Sequence, residues 1–143
     1  MKFSEVEQEQ WSELEPYLDT CLLPLTGLNG TEKPWEATKA LEDLRDALET
    51  IELPFKGRVV TYPALHYVTG VDATGQINAL TLQLKEAGFR FVIVLTAQHE
   101  AFSEVPQEPD LFITVNMNEW TSHAAACKSD ISKQVQHLWY GAN

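Results

Sequence analysis

The sequence predicts an α/β fold, a three-layer sandwich with a small, mostly parallel sheet of three to four strands. Three observations predict it. The run Phe89 to Ala97, FRFVIVLTA, sets Val92, Ile93, Val94 and Leu95 side by side with no polar face, as a strand covered on both sides requires. Segments around it place apolar residues three and four apart with acids between them, the pattern of amphipathic helices. Glycine and proline fall at the joins between the two kinds of segment.

Taken in order, Phe3 to Tyr17 reads as a helix with Ser4 as N-cap, Glu5, Glu7 and Glu9 in its first turns, and a partial stripe of Val6, Trp11, Leu14 and Leu18. Pro16 either stops it or begins a second turn. Thr20 to Leu28, TCLLPLTGL, reads as a short buried strand, although Pro24 lacks the N–H that a central ladder needs. Asn29 to Lys33 is a turn, and Pro34 suits the first position of a helix that runs to about Ile51. Leu41, Leu44, Leu48 and Ile51 give that helix its core face, with Trp35 and Ala37 extending it; Glu42, Asp43, Asp46 and Glu49 lie outside. A strand begins at Val59, Val60 and Tyr62 and ends near Pro63. Asp72 is placed to cap a helix that buries Ile77, Leu80, Leu84 and Ala87 and stops at Gly88. After the Phe89–Ala97 strand, Gln98 to Pro109 is polar and proline-bearing, barely long enough for a parallel return. A helical turn over Glu100 to Val105 would fit within it. Asp110 to Asn116, DLFITVN, is a further strand. The last helix buries Trp120, Ala124, Cys127, Ile131, Val135 and Leu138 and ends at Trp139-Tyr140. This alternation implies right-handed crossovers in a single Rossmann-like or flavodoxin-like domain over residues 1–143.

Composition narrows the function. The chain carries 21 acids against 10 bases, a net charge of −11, and the acidity sits mainly on the N-terminal helices. Binding nucleic acid or an anionic lipid surface needs clustered Lys and Arg, which are absent. A basic protein partner suits this charge; solubility alone also accounts for it. Cys21 and Cys127 stand in no CxxC pattern and read as buried thiols of a reducing compartment. The N-terminus MKFSEVEQEQ has no apolar signal region, and no apolar run reaches the ~18 residues of a membrane span. A cytoplasmic location is expected, with no membrane insertion.

Leu23-Pro24-Leu25, Gly57-Arg58-Val59-Val60, Pro63 and Gly88-Phe89 through Leu95-Thr96, in this order of elements, resemble the YpiF-like family of Bacillus-type bacteria, a domain of unknown function. The resemblance covers most of the chain and contains no chemically diagnostic motif. It implies a small cytoplasmic bacterial protein with an accessory role, since such proteins tend to be encoded near a menaquinol–cytochrome c reductase. No functional residue carries over.

In open parallel sheets, ligands sit beyond the C-terminal ends of the strands. That rule selects Tyr62 and His66 after one strand, Thr96, His99 and Glu100 after the central one, and Asn116 and Asn118 after the last. Together they offer imidazole, carboxylate and amide groups to a small polar ligand, and His66 or His99 could move a proton. Ordinary turn chemistry explains the same residues. Metal binding by His66, His99 and Glu100 lacks any HxxxH or HxH spacing, and His123 and His137 are about four helical turns apart. Gly70-Val-Asp-Ala-Thr-Gly75 has the glycine spacing of a phosphate loop but continues Gln76-Ile77 where Lys and Ser or Thr belong. There is no GxSxG elbow. No catalytic residue, metal or cofactor is expected. Two functions stay open. One is a non-catalytic interaction or accessory protein, with a homodimer among the options, using a sheet edge and the Trp139-Tyr140 region. The other is a small-molecule-binding protein or enzyme using the strand ends.

Overall fold

Among the residues that the computed structural model describes, 1–66, 72–98 and 104–141, four strands combine with four α-helices. The strands are β1 (Thr20–Leu25), β2 (Val59–Thr61), β3 (Phe91–Thr96) and β4 (Leu111–Thr114), and the helices α1 (Gln8–Leu14), α2 (Pro34–Glu52), α3 (Ala73–Glu86) and α4 (Met117–Gly141). The strand pairs are parallel, in the order β2-β1-β3-β4. The expected α/β sandwich is therefore present, with an entirely parallel sheet. β1 and β3 are central and buried along their whole lengths. Each Leu, Ile or Val fully buried in them contributes about 1.5–3 kcal/mol.

Strand alternation divides the core in two. Leu22, Ile93, Leu95 and Val59 face α2 and α4, meeting Leu44, Leu48, Ile51, Ile131 and Val135. Cys21, Leu23, Val60, Val92 and Val94 face α3 and the N-terminal segment, meeting Ile77, Leu84 and Leu18. Pro24 is accommodated in a central strand because its ring nitrogen faces β2, which has already ended. The chain leaves at Tyr62, whose N–H donates to Leu22 O, and returns at Leu65, whose N–H donates to Pro24 O. No ladder bond is lost at the proline.

Several local expectations are corrected. The N-terminal helix is split into a 3₁₀ turn (Phe3–Glu5) and the short α1, neither with a buried residue. Trp35 is 68% exposed and Leu41 42% exposed. The buried stripe of α2 is instead Ala40, Leu44, Ala47, Leu48 and Ile51, because two alanines let the helix approach the sheet closely. Asp72 precedes α3 without a side-chain capping bond, and Ala87 lies exposed just past that helix. α4 bends at His123 (φ −139°, ψ 50°), so its two halves present different faces. Ile131, Val135 and Trp139 are buried, while Cys127 is only half-buried. The expected helical turn over Glu100 to Val105 falls largely on residues outside those described. Glu104 to Asp110 forms no helix or strand.

Within the Trp139-Tyr140 region Tyr140 is 71% exposed, whereas Trp139 belongs to the core. Its indole N–H donates to Thr20 Oγ1 (2.9 Å) and its ring meets Phe55 edge-on at 4.9 Å. The outer edge of β2 is occupied by the chain's own start. Thr61 N–H donates to Met1 O (2.7 Å), and the Met1 amino group donates to Val59 O (3.3 Å). Lys2 Nζ then reaches the buried Glu52 carboxylate (2.9 Å), which also accepts from Thr61 Oγ1 (2.7 Å).

Candidate functional site

The strand order fixes where a ligand crevice would open. From β1 the chain moves outward through α2 to β2, then returns through α3 on the opposite face to β3. The direction reverses between β1 and β3, and their C-terminal ends form the switch point. Thr26 leaves β1 there. Its hydroxyl donates to Leu65 O (3.1 Å), accepts from Leu28 N–H (3.4 Å) and lies 3.2 Å from His66 Nδ1. The Thr26 hydroxyl thus joins the Leu65 carbonyl and the His66 ring in one cluster at the exit of β1. Thr26 escaped the sequence reading, which placed it inside the Thr20–Leu28 strand; its signal was the Gly27 that follows it.

The other selected residues are spread out. Thr96 ends β3, fully buried in register with Leu25 and Thr114, and its hydroxyl accepts from Gln98 N–H (3.1 Å). His99 and Glu100 lie outside the described residues. Asn116 Oδ1 accepts from Asn118 N–H (3.0 Å), and Asn116 O accepts from Trp120 N–H (3.0 Å), so this asparagine starts α4. Asn118 is exposed in the first turn of the same helix. Two strand spacings, about 10 Å, separate the exits of β1 and β4. Tyr62 is not at the crevice at all. Its ring packs edge-on against Phe3 (4.9 Å) on the α3 face of the sheet. Thus His66 joins Thr26, Thr96 stands at the neighbouring exit, and the asparagines serve α4.

The loop after β1 is anchored by one of its own carboxylates. Gly27 (φ 73°) and Gly30 (φ 95°) turn the chain through the left-handed region. The N–H groups thus exposed are taken by the chain's own Glu32. Its carboxylate accepts from Asn29 N–H (2.6 Å) and Gly30 N–H (3.1 Å). These backbone bonds, Asn29's foremost, hold the Glu32 carboxyl below its ordinary value of 4.5. The loop anchor is therefore complete above the ordinary glutamate range and is lost as pH falls through the lowered value. A carboxyl NMR titration should find Glu32 titrating below the ordinary glutamate value of 4.5, and Glu32→Gln should broaden the Asn29 and Gly30 amide signals. Ordinary titration of Glu32 would refute the anchor.

A second concave surface lies between α2 and α4. It encloses about 320 Å³ and is lined by Asp46, Glu49, Thr50, Leu53, Trp120 and Lys128, with Pro54 at its end. Leu53 is 70% exposed there, and Lys128 Nζ lies 5.8 Å from the Trp120 ring centroid. Glu42 and Glu49 are exposed on α2, and Asp43 and Asp46, partly covered, pair with Lys39 and Arg45. Among the described residues, no three His, Cys, Asp or Glu side chains gather to hold a metal ion. Among them, too, no helix is long and apolar enough to cross a membrane.

Residues 9–139 match the model of a family described as a protein of unknown function, DUF2487. The chain belongs to this family. The DUF2487 match runs from α1 to Trp139, so it takes in the whole sheet, the β1–β3 crevice and the α2–α4 groove, and it begins after Phe3. No curated protein and no solved structure matches the chain.

Proposed function

We propose that this DUF2487 protein is a YpiF-like, bacterial, cytoplasmic accessory factor. It acts without catalysis by holding a basic segment of a partner protein in the groove between α2 and α4. The observation that carries this reading is the groove itself, where exposed Leu53 and half-buried Trp120 lie beside the acidic outer row of α2. An apolar floor with a charged rim is the anatomy of a protein contact, and the net charge of −11 favours a cationic partner. The test is affinity capture from native bacterial cytoplasm with wild type and with Leu53→Asp/Glu49→Lys. A basic protein retained by wild type, released by salt and lost from the variant supports the reading. Equal capture by both, or self-association as the only contact through this groove, overturns it.

The Thr26–His66 pair at the switch point favours a second reading, a small polar ligand bound at the strand ends. Its residues would be His66, Thr96, His99, Glu100, Asn116 and Asn118, with Tyr62 set apart on the sheet face. In that case His66→Ala removes ligand binding and leaves partner capture intact.

A further inference from the structure

We propose that the cavity under the N-terminal segment is a binding site for a small planar aromatic molecule, neutral or singly cationic. On the α3 face of the sheet, α3 covers the part nearest β3. The part over β2 is roofed only by the 3₁₀ turn and the seven-residue α1, which bury no residue completely. A pocket of about 580 Å³ remains between roof and sheet, within the range of roughly 300–1,000 Å³ typical of small-molecule sites.

Its walls are aromatic and aliphatic. Phe3 and Trp11 hang from the roof, Tyr62 and Val60 rise from β2 and its exit, and Leu84 and Phe89 close the α3 side. Phe3 is the hub, 4.9 Å from the Tyr62 ring and 6.1 Å from the Phe89 ring. Flat rings against such walls gain offset and edge-to-face contacts.

Charge sets the class of ligand. Among the described lining residues, Glu7 is the sole ionisable group apart from Tyr62, and no Lys, Arg or His is present. A carboxylate, sulfate or phosphate on the ligand would lie near Glu7 with nothing to neutralise it, whereas a cation would be met by Glu7 and by ring faces.

The roof is also fixed in advance. Met1 and Lys2 pair with the outer edge of β2, and Leu18 is buried ahead of β1. A preformed pocket spares the ligand the entropy of ordering its walls.

The probe for this site is N-phenylnaphthylamine, neutral and fluorescent in apolar surroundings, titrated into the whole chain. The expected result is saturable binding of one probe per chain. Anilinonaphthalene sulfonate, similar in its rings but anionic, should bind at least about tenfold more weakly. Ala87→Phe, at the pocket rim just after α3, and Val6→Phe, in the roof, should each remove probe binding. Their circular dichroism and urea midpoints establish that they fold. Glu7→Lys should bring the sulfonate probe up to the affinity of the neutral one. Absence of saturable binding, equal affinity for the two probes in wild type, or unchanged binding in a folded filling variant overturns the proposal. None of these outcomes depends on partner capture by the α2–α4 groove.

Discussion

Replacing Trp139 with Ala is expected to destabilise the domain by about 3–5 kcal/mol, a large share of the ~5–15 kcal/mol that holds such a domain folded. The ring is 7% exposed and lies between Phe55 and the Arg58 guanidinium, whose carbon is 4.2 Å from the ring centroid. Its N–H donates to Thr20 Oγ1, and that hydroxyl donates to Asp19 Oδ1 (3.0 Å). Asp19 also takes both arms of Arg58 (2.9 and 3.2 Å), while its backbone O accepts from Arg90 and Phe91. One aromatic residue near the C-terminus thus ties α4 to the starts of β1, β2 and β3. Alanine removes the packing and opens a cavity. Phenylalanine keeps most of the packing and loses the donor, so Trp139→Phe should cost only about 1–2 kcal/mol. Urea unfolding of the two variants measures the difference. Equal losses would mean that the ring's bulk contributes nothing beyond its hydrogen bond. Coupling between Trp139→Phe and Arg58→Ala should exceed about 0.5 kcal/mol, because the two side chains share a partner network.

The fold was legible where one physical effect dominates. FRFVIVLTA has no polar face, so only a strand buried on both sides suits it, and β3 is that strand. Local pattern failed where tertiary geometry decided. In α2, leucines stand at 41, 44 and 48, yet angular position rather than side-chain size selects the stripe, and small Ala40 and Ala47 are inside while Leu41 is not. In α4, the helix bends at His123, and after the bend Ile131, Val135 and Trp139 face the core while Cys127, on the same stripe one turn earlier, is only half-buried. Nothing local announces that bend.

The candidate site was legible only as a set of strand exits. Sequence order puts His66, Thr96 and Asn116 at the same end of a parallel sheet, but strand order sets their separations, and that follows from long-range pairing. The commitments of individual side chains were equally hidden. Asn116 is spent on starting α4, and Glu32 on anchoring the turn at Asn29 and Gly30. The pocket over β2 was hidden for a related reason. The sequence reads as one helix over Phe3 to Tyr17, whereas the chain there breaks into a turn and a short helix that line the pocket.

Raising the pH should remove a second large contribution to stability, through Cys21. The thiol is fully buried in β1, in register with Val60 on one side and Val92 on the other, and its side chain lies among Leu23, Ile77 and Val94. Burial pushes it up to about 12 from an ordinary value of 9.0, since a thiolate there would have no water and no cation. A group raised on folding contributes fully below its unfolded value and loses that contribution as pH climbs through its folded value. The window therefore runs from 9.0 to about 12, and the whole contribution is on the order of 4 kcal/mol. Cys21→Ala has nothing to ionise at this position. It should begin less stable at about pH 8, by about 1 kcal/mol for the small void, and then decline less steeply than wild type until the order reverses. Urea unfolding of both chains at about pH 8, 10 and 11 checks this, every other ionisable group being common to the two. Parallel stability curves for the two chains would show that Cys21 is not held neutral by the fold. Thiol labelling supplies the kinetic counterpart. At about pH 8 the half-buried Cys127 should react with Ellman's reagent well before Cys21, whose labelling should follow the rate of unfolding. Two thiols reacting equally fast in the folded chain would place Cys21 in contact with solvent, and the alkaline effect would vanish with it.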